Sequence, residues 1–453
     1  MSESVNAREI VLDLLLEQEK NNIPFHIILR DTLRKYQYLD KKDRSFIKKL
    51  AKGTVEKRLL LDYILNQFSK MKTNKMKPFI LTLLRMETYE ILFMDTKSFA
   101  ICNEAVSLAK KRGFFGLSGF VNGLLRTIIR EKDSIKYPDR DKDIREYYSI
   151  MYSIPKWLVG QLFHQYGDDA VKIIEGLSTE KGRVSVRINK NIATKEEVIN
   201  SLKDEDIEVV ESSLYDGGIY ISGFDYIDKI TAFKEGKITP QDVSSMLVSY
   251  VALPLKLSDE KYEVIDMCAA PGGKAIHMAE LLKDKGHVSA RDVSLQKVML
   301  LNENIERNGA KNIDTMVLDA TITDDKSIES ADIVICDAPC SGIGVIAKKS
   351  DIKYNISYDS ENELCALQKE ILKNAVKYLK KGGILIYSTC TINKSENEEN
   401  MKWIISELGL KVCDISEYFA NGFHEDETRN GYLRLLPGID ETDGFFISKF
   451  VKE

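Results

Sequence analysis

The stretch VIDMCAAPGGKAIHMAELL, residues 264–282, joins an apolar strand to an amphipathic helix through a turn that contains two adjacent glycines. The same alternation continues downstream, with strands predicted over GHVSARDVS, IDTMVLDA, ADIVICDAP and ILIYSTC. Helices are predicted between them, the longest over ENELCALQKEILKNAVKYLKKGG, where the final glycines would end it. Continuous apolar strands that alternate with helices are typical of a parallel sheet covered on both faces. We therefore expect an α/β domain over residues 236–453.

The sequence before this domain divides into two further parts. Residues 1–140 repeat apolar side chains at three- and four-residue steps almost throughout, which predicts an all-α domain. The charged segment KYPDRDKD, which contains a proline, indicates a boundary after it. Residues 145–235 combine two helices separated at Gly167, a helix opened by Thr194, and the strands GRVSVRIN, IEVVESSL and GGIYISG. This part is expected to be a small α/β module that links the other two.

Bulk properties exclude several classes of protein. No uninterrupted run of about 18 apolar residues is present, so we expect no membrane span. The acid-interrupted N-terminus predicts an amphipathic helix rather than a signal peptide. The seven cysteines follow no disulfide framework, which indicates reduced thiols in the cytoplasm. Cys336 and Cys340 lie four residues apart, but no second pair follows at ligand spacing, so no metal site is expected.

Charge is distributed unevenly along the chain. The formal net charge is −5, yet residues 1–150 carry 29 Lys and Arg against 20 Asp and Glu, whereas the remainder carries 36 against 50. A basic N-terminal third can attract a polyanion such as RNA. The clusters Lys110–Arg112 and Lys41–Lys49 are the candidate phosphate contacts, although a solvated helix surface would have the same composition.

Chemically distinctive residues follow the predicted strands, at the edge where parallel sheets bind ligands. Gly272 and Gly273 allow the backbone to approach a ligand closely, and they precede a helix whose N-terminal amides favour an anion. Asp292, about 20 residues after the glycine turn, can accept both hydroxyls of a ribose, and Asp319 can accept the amino group of an adenine. Each acid could instead cap a helix. At successive strand ends these features together favour a small adenosine ligand, and the GxxxxGK[ST] loop typical of nucleoside triphosphate sites is absent.

Two cysteines are predicted in polar loops at the same edge, because Cys340 follows DAP and Cys390 follows YST. Most free cysteines are inert core residues, but a thiolate is a strong nucleophile where its pKa is lowered. Cytosine is a substrate that needs one, because its C5 is too weak a nucleophile to take a methyl group directly. A thiolate that adds to C6 makes C5 reactive. Spacing alone does not decide which of the two cysteines attacks.

The motifs DMCAAPGGKA, DAPCSGIG and YSTCT…SENE together resemble those of the S-adenosyl-L-methionine-dependent RNA cytosine-5 methyltransferases. The stretches LDKKDRSFIKKLAKGTVEKRLLLDYIL and CNEAVSLAKK resemble the NusB-type RNA-binding fold. This pairing is similar to the bacterial 16S ribosomal RNA cytosine-5 methyltransferase family called RsmB, Sun or Fmu, over nearly the whole chain. The resemblance implies a multi-domain protein with a NusB-like all-α domain, an RRM-like α/β linker module and a Rossmann-like methyltransferase domain. We expect it to act as a monomer on 16S ribosomal RNA.

The resemblance also implies roles for individual residues. Cys390 corresponds to the nucleophile that attacks C6, and Cys340 to the second thiol, which assists elimination. Asp337 corresponds to a carboxylate that lines the cofactor site and hydrogen-bonds the cytosine ring edge. Asp292 would hold the ribose, and Asp319 would lie near the adenine. The methionine part of S-adenosyl-L-methionine would be enclosed by Cys268, Ala269, Ala270, Pro271, Gly272, Gly273 and Lys274.

Two departures from the family pattern concern details of substrate contact, since Ser350 stands where many relatives have proline and Tyr354 where they have tryptophan. His277, just after the glycine turn, is expected to be a surface or packing residue rather than a base. Two other functions stay open at this point. One is 5-methylcytosine formation in transfer RNA or at another ribosomal site. The other is a non-catalytic RNA-binding factor in ribosome assembly, against which the two intact cysteines argue.

Overall fold

The computed structural model describes residues 6–21 and 23–453, which form two compact units. The helical unit contains the chain up to Ser178 together with Ile346–Asn355, and the α/β unit contains Thr179–Val345 and Ile356–Glu453. The domain boundaries expected near residues 140 and 235 are not tested by this division and stay a prediction. In the described part of the chain, none of the helices is both long and apolar enough to cross a membrane.

The helical unit confirms the periodicity of the N-terminal sequence. Its first ten α-helices in the described residues are α1 (Ala7–Asn21), α2 (Phe25–Lys35), α3 (Lys41–Glu56), α4 (Arg58–Phe68), α5 (Pro78–Phe93), α6 (Ser98–Lys111), α7 (Phe115–Glu131), α8 (Ile144–Tyr152), α9 (Lys156–Tyr166) and α10 (Ala170–Leu177). The apolar faces of α1–α7 pack into one core, in which Leu12, Leu50, Leu83 and Leu125 are fully buried. Removal of these side chains from water stabilises the unit.

A carboxyl group is buried inside this helical core. Glu87 of α5 is 0% exposed, and neither of its carboxyl oxygens has a hydrogen-bond partner among the described residues. Burial, together with the charge of Glu90, raises the pKa of Glu87 well above its usual value. Glu90 itself accepts two hydrogen bonds from the guanidinium of Arg8. Glu87 therefore keeps its proton in the fold at a pH where it ionises in the unfolded chain, which reduces stability as the pH rises.

We predict that Glu87→Gln stabilises the helical unit, and more so at higher pH. The pKa of glutamate in an unfolded chain is about 4.3, and the folded-state pKa of Glu87 is higher. The wild type therefore loses stability as the pH rises from the first value to the second, whereas the amide variant does not. Thermal unfolding, followed by circular dichroism, should show that Glu87→Gln raises the unfolding temperature more near pH 8 than near pH 5. Each kcal/mol of stabilisation corresponds to a rise of about 2–4 °C.

The control for this prediction is Glu90→Gln. It removes the charge that pairs with Arg8, so the unfolding temperature should fall rather than rise. Equal gains for Glu87→Gln at both pH values would contradict a buried, protonated Glu87.

The α/β unit begins with a small antiparallel sheet. Its strands are β1 (Val184–Ile188), β2 (Glu208–Glu211), β3 (Gly218–Ser222) and β4 (Ile238–Pro240), in the order β2-β3-β1-β4. The accompanying helices are α11 (Lys195–Asp204), α12 (Thr231–Lys234) and α13 (Val243–Ala252). Thr194 caps α11 by accepting the N–H of Glu197, whose carboxylate accepts the N–H of Thr194 in return. The predicted α/β module and its threonine cap are confirmed.

The second sheet positions the candidate active site. Its strands are β5 (Tyr262–Asp266), β6 (Gly286–Asp292), β7 (Ile313–Val317), β8 (Ala331–Asp337), β9 (Leu379–Thr389), β10 (Lys411–Val412), β11 (Tyr432–Leu435) and β12 (Phe445–Val451). The remaining helices are α14 (Gly273–Leu282), α15 (Leu295–Asn308), α16 (Ile352–Asn355), α17 (Tyr358–Tyr378), α18 (Glu398–Leu408) and α19 (Glu425–Arg429). Five neighbouring strands run parallel in the order β7-β6-β5-β8-β9. The strand order reverses at β5 and β8, and sheets of this kind bind ligands at that point.

This sheet differs from the prediction in two places. It is mixed rather than parallel throughout, because β12 pairs antiparallel with β9 and also with β10 and β11. The predicted long helix ends at Tyr378, before its glycines, and the segment Leu379–Gly383 already belongs to β9. Tyr378 and Leu379 are both fully buried, so the chain passes directly from the helix into the sheet.

A segment from the C-terminal half of the sequence is part of the helical unit. In Ile346–Asn355, Asp351 accepts a hydrogen bond from the N–H of Phe25 at 2.9 Å, and Lys353 Nζ donates to the carbonyl of Glu56 at 2.9 Å. Burial lowers the pKa of Lys353 to about 7. The hydroxyl of Tyr354 donates to the carbonyl of Val55 at 3.0 Å. The departure from the family pattern at Tyr354 therefore affects packing within this unit.

Candidate active site

The turn between β5 and α14 depends on glycine. Gly272 has a φ of +110°, and a Cβ atom at this position would lie 2.5 Å from the side chain of Leu301. Other residues are disfavoured here by both the backbone angle and the lack of space. The N–H of Gly272 donates to the carbonyl of Ala269 at 2.8 Å, which closes the turn. Since the N-cap residue is glycine, it has no side chain to cap α14, and the first amides of this helix suit an anionic ligand.

Asp292 and Asp319, the acids predicted to hold an adenosine, have different surroundings from each other. Asp292 ends β6 and is 4% exposed, and its two oxygens accept the N–H groups of Ala270 at 3.2 Å and Ser294 at 3.3 Å. It braces the glycine turn from the next strand. Asp319 lies two residues beyond β7 and accepts the N–H and the hydroxyl of Thr321, and these hydrogen bonds lower its pKa. Asp319 therefore forms a local turn, and its assignment to the adenine stays a prediction.

An ion pair joins the glycine turn to the end of β8. Lys274 Nζ lies 2.6 Å from Asp337 Oδ2, and the hydroxyl of Ser388 donates to Asp337 Oδ1 at 2.7 Å. Burial disfavours the ammonium, but the attraction of Asp337 outweighs it, so the pKa of Lys274 is raised. Negative charge on Cys390 acts in the same direction on the pKa of Lys274. This pair could not be predicted from the sequence, because no local pattern relates two residues that lie 63 positions apart.

The two candidate thiols are neighbours in space. Cys340 and Cys390 are 50 positions apart in the sequence, and their sulfur atoms are 3.3 Å apart. Gly344, in the loop after Cys340, donates its N–H to the carbonyl of Cys390 at 3.2 Å. The hydrogen bond with Cys390, reinforced by burial, raises the pKa of Cys340 well above its ordinary value. Cys340 is therefore held as a protonated thiol that can donate to the sulfur of Cys390.

Known proteins share both the sequence and the fold of this chain. The model of the 16S rRNA methyltransferase RsmB/F family matches residues 252–451, and that of the NusB family matches residues 5–130. The model of the RsmF/B-like methyltransferase ferredoxin-like domain matches residues 154–225. A probable ribosomal RNA small subunit methyltransferase B of Bacillus subtilis (strain 168) is 34% identical over 456 residues, which cover 99% of each chain. The chain belongs to the ribosomal RNA small subunit methyltransferase B family.

Another relative and two solved structures agree with the assignment. The ribosomal RNA small subunit methyltransferase B of Proteus mirabilis (strain HI4320) is 26% identical over 93% of this chain and 98% of its own. The crystal structure of PH0851 has a TM-score of 0.82 at 27% identity and covers 100% of each chain. The crystal structure of NSun6 from Pyrococcus horikoshii with SFG has a TM-score of 0.58 at 25% identity, over 66% of this chain and 98% of that one. The fold class and the methyltransferase family predicted from the motifs are confirmed.

S-adenosyl-L-methionine is the cofactor of a methyltransferase of this family, and the sheet edge fits it. The amides of α14 suit a carboxylate, and Asp292 suits the hydroxyls of a ribose. Asp266, at the end of β5, is 0% exposed, and its Oδ2 has no hydrogen-bond partner in the described residues. Burial raises the pKa of Asp266 to about 7. Sequence reasoning missed this acid, although it stands in the quoted VIDMC strand.

Cys268, Ala269, Ala270, Pro271 and Gly273 lie in or next to the turn, and their role in enclosing the methionine part of the cofactor stays a prediction. Burial and the surrounding carboxylates raise the pKa of Cys268, which keeps it a thiol. His277 is 2% exposed, and its Nε2 lies 2.8 Å from the hydroxyl of Tyr215. Burial lowers the pKa of His277 well below its usual value, so it is a neutral packing residue. Within residues 6–21 and 23–453, no group of three or more side chains could hold a metal ion.

We predict that Asp292→Asn weakens the binding of S-adenosyl-L-methionine by about tenfold or more, because a hydrogen bond to a charged group contributes about 1.5–3 kcal/mol. Isothermal titration calorimetry measures the affinity. Asp319→Asn is the matched control, because the hydrogen bonds that Asp319 makes are confined to its own turn. Its effect should be the smaller of the two. An unchanged affinity in Asp292→Asn would contradict the assignment of the ribose to Asp292, whereas an equal loss in Asp319→Asn would support the predicted contact between Asp319 and the adenine.

Proposed function

We propose that this chain transfers a methyl group from S-adenosyl-L-methionine to C5 of a specific cytosine in 16S ribosomal RNA, in the cytoplasm and as a monomer. The reaction passes through a covalent bond between the sulfur of Cys390 and C6 of the base. The observation that carries this proposal is the pair of thiols, with sulfur atoms 3.3 Å apart, at the same edge of the sheet as the partly buried ion pair of Lys274 and Asp337.

The first step is the attack of Cys390. Its thiolate forms the S–C6 bond, and the electrons of the C5–C6 double bond move toward C5 and the ring. Lys274 stabilises negative charge on the sulfur before the attack, since its ammonium interacts with Cys390. Asp337 hydrogen-bonds the cytosine ring edge. Lys274 and Ser388 orient Asp337 for this contact, because each donates a hydrogen bond to one of its two oxygens. The target cytosine has to leave its RNA context to enter this edge of the sheet.

The second step restores the aromatic ring. When bound, S-adenosyl-L-methionine supplies an electrophilic methyl group to C5. The proton on C5 is then removed, the C5–C6 double bond forms again, and the S–C6 bond breaks. Cys340 acts at this point, because its raised pKa keeps it a thiol, and a thiol can donate a hydrogen bond to the departing sulfur of Cys390.

The helical unit is proposed to bind the RNA. On α3, Lys41, Lys42, Lys48 and Lys49 are exposed and stay the candidate phosphate contacts. The second cluster is less suitable than its sequence indicated. Lys111 pairs with Glu9, and Arg112 pairs with Glu9 and Asp13, so both attach the end of α6 to α1.

The two cysteines are predicted to give opposite results when each is replaced by alanine. Cys390→Ala should lose methylation and form no covalent RNA adduct, because the nucleophile is gone. Cys340→Ala should lose turnover and accumulate the adduct, because elimination is impaired. The measurement is incubation with a 16S ribosomal RNA transcript and cofactor, followed by a denaturing gel on which the adduct migrates as an RNA-shifted band.

Two outcomes would contradict this assignment. An adduct with Cys390→Ala and none with Cys340→Ala would reverse the roles of the two thiols. If the wild-type protein binds RNA but methylates neither ribosomal nor transfer RNA, a non-catalytic assembly factor would be favoured. Methylation of transfer RNA alone would favour a transfer RNA methyltransferase.

A further inference from the structure

A buried carboxylate lies between the loops that carry the two thiols. Glu396, six residues after Cys390, is 0% exposed. Its Oε2 accepts the N–H of Ser341 at 2.9 Å and the amide of Gln368 at 3.0 Å, and its Oε1 accepts the hydroxyl of Ser341 at 2.5 Å. Burial of a carboxylate is unfavourable unless hydrogen bonds offset it. This carboxylate is stabilised largely by the loop that contains Cys340.

The same contacts reach the second thiol. Ser341 directly follows Cys340, and its Oγ lies 2.7 Å from Oγ1 of Thr391, which directly follows Cys390. Glu396 therefore joins the residues next to both cysteines through one serine. Gln368 of α17 adds a further restraint, because its amide also donates to the carbonyl of Pro339, immediately before Cys340.

Glu396 is itself fixed from the sheet and from a helix. The hydroxyl of Tyr387 in β9 donates to the carbonyl of Glu396 at 2.6 Å, and the amide of Asn400 in α18 donates to the same carbonyl at 3.0 Å. Asn400 also donates to Gln368 Oε1 at 2.7 Å. Every one of these side chains is buried, so the position of the carboxylate is set by packed secondary structure rather than by a surface loop.

We propose that Glu396 is a positioning residue that sets the distance between the sulfur atoms of Cys340 and Cys390, and through it the rate of the elimination step. Catalytic groups have to be held within about 0.5 Å of the productive geometry, and a misplacement of about 1 Å can cost about a hundredfold in rate. The effect on rate rests on the proposed function, whereas the effect on the sulfur distance does not.

The test is Glu396→Gln. The amide keeps the shape of the side chain but replaces one carboxylate oxygen by an NH2 group, which cannot accept a hydrogen bond. If Oε2 is replaced, the N–H of Ser341 and the amide of Gln368 lose their acceptor. If Oε1 is replaced, the hydroxyl of Ser341 loses its acceptor. The control is Glu399→Gln in the same segment, since the Glu399 side chain is 61% exposed and pairs with Lys402 on the surface. Circular dichroism and thermal unfolding establish that both variants are folded.

The sulfur distance is read by oxidation with diamide. This azo compound takes up the two thiol protons and two electrons and leaves a disulfide between Cys340 and Cys390, which peptide mass spectrometry identifies. We expect the disulfide to form at least about tenfold more slowly in Glu396→Gln than in Glu399→Gln, because reaction rates fall steeply when the reacting groups are displaced. On the RNA substrate, kcat should fall and the covalent adduct should accumulate, while kcat/KM for cofactor and RNA stays unchanged because elimination follows the transfer of the methyl group.

Ser341→Ala provides a second variant if Glu396→Gln does not fold. It keeps the buried carboxylate with its bonds to the backbone N–H and Gln368, and it removes only the hydroxyl that links Glu396 to Thr391. Slower disulfide formation is again expected. Wild-type oxidation rates in the folded variants would overturn the positioning role even if the enzyme methylates cytosine. Slower oxidation in a protein that methylates no RNA would leave the positioning role intact and reject the proposed function instead.

Discussion

The pairing of β8 with β9 is the constraint on which the active site depends. In this parallel register Asp337 lies opposite Ser388 at the carboxyl end of the two strands, and the hydroxyl of Ser388 donates to Asp337. The loop with Cys340 leaves one strand, and the loop with Cys390 leaves the other. Because both loops start from adjacent points of a rigid sheet, two thiols 50 positions apart in the chain are brought to a sulfur distance of 3.3 Å.

Acidic side chains and the ammonium of Lys274 meet at this edge of the sheet. Asp266, Asp292 and Asp337 end three neighbouring parallel strands, and the partly buried ammonium of Lys274 pairs with Asp337. The three acids have different environments. Asp337 pairs with Lys274, and Asp292 accepts hydrogen bonds from two backbone N–H groups. Burial raises the pKa of Asp266 to about 7. Negative charge on Cys390 would also raise the pKa of Lys274, so this lysine links the cofactor turn to the proposed thiol chemistry.

The sequence predicted those features that depend on local periodicity and motif. The helical N-terminal domain, the glycine turn at Gly272, the threonine cap at Thr194 and the two thiols at one sheet edge follow from residues close together in the chain. Pairings between distant residues left no such signal. Lys274 with Asp337, Glu396 with Ser341, and the incorporation of Ile346–Asn355 into the helical unit are set by packing. The antiparallel strands β10–β12 were missed for the same reason, since β12 is placed by its pairing with the distant strand β9, and β10 and β11 pair with β12.

Formation of 5-methylcytosine in 16S ribosomal RNA by way of Cys390 can be tested by bisulfite sequencing. Ribosomal RNA would be compared from cells with the wild-type chain, without the chain, and with the chain carrying Cys390→Ala. The account predicts that one cytosine of the small-subunit RNA resists deamination only in the first case. An identical pattern of resistant cytosines in all three samples would contradict it.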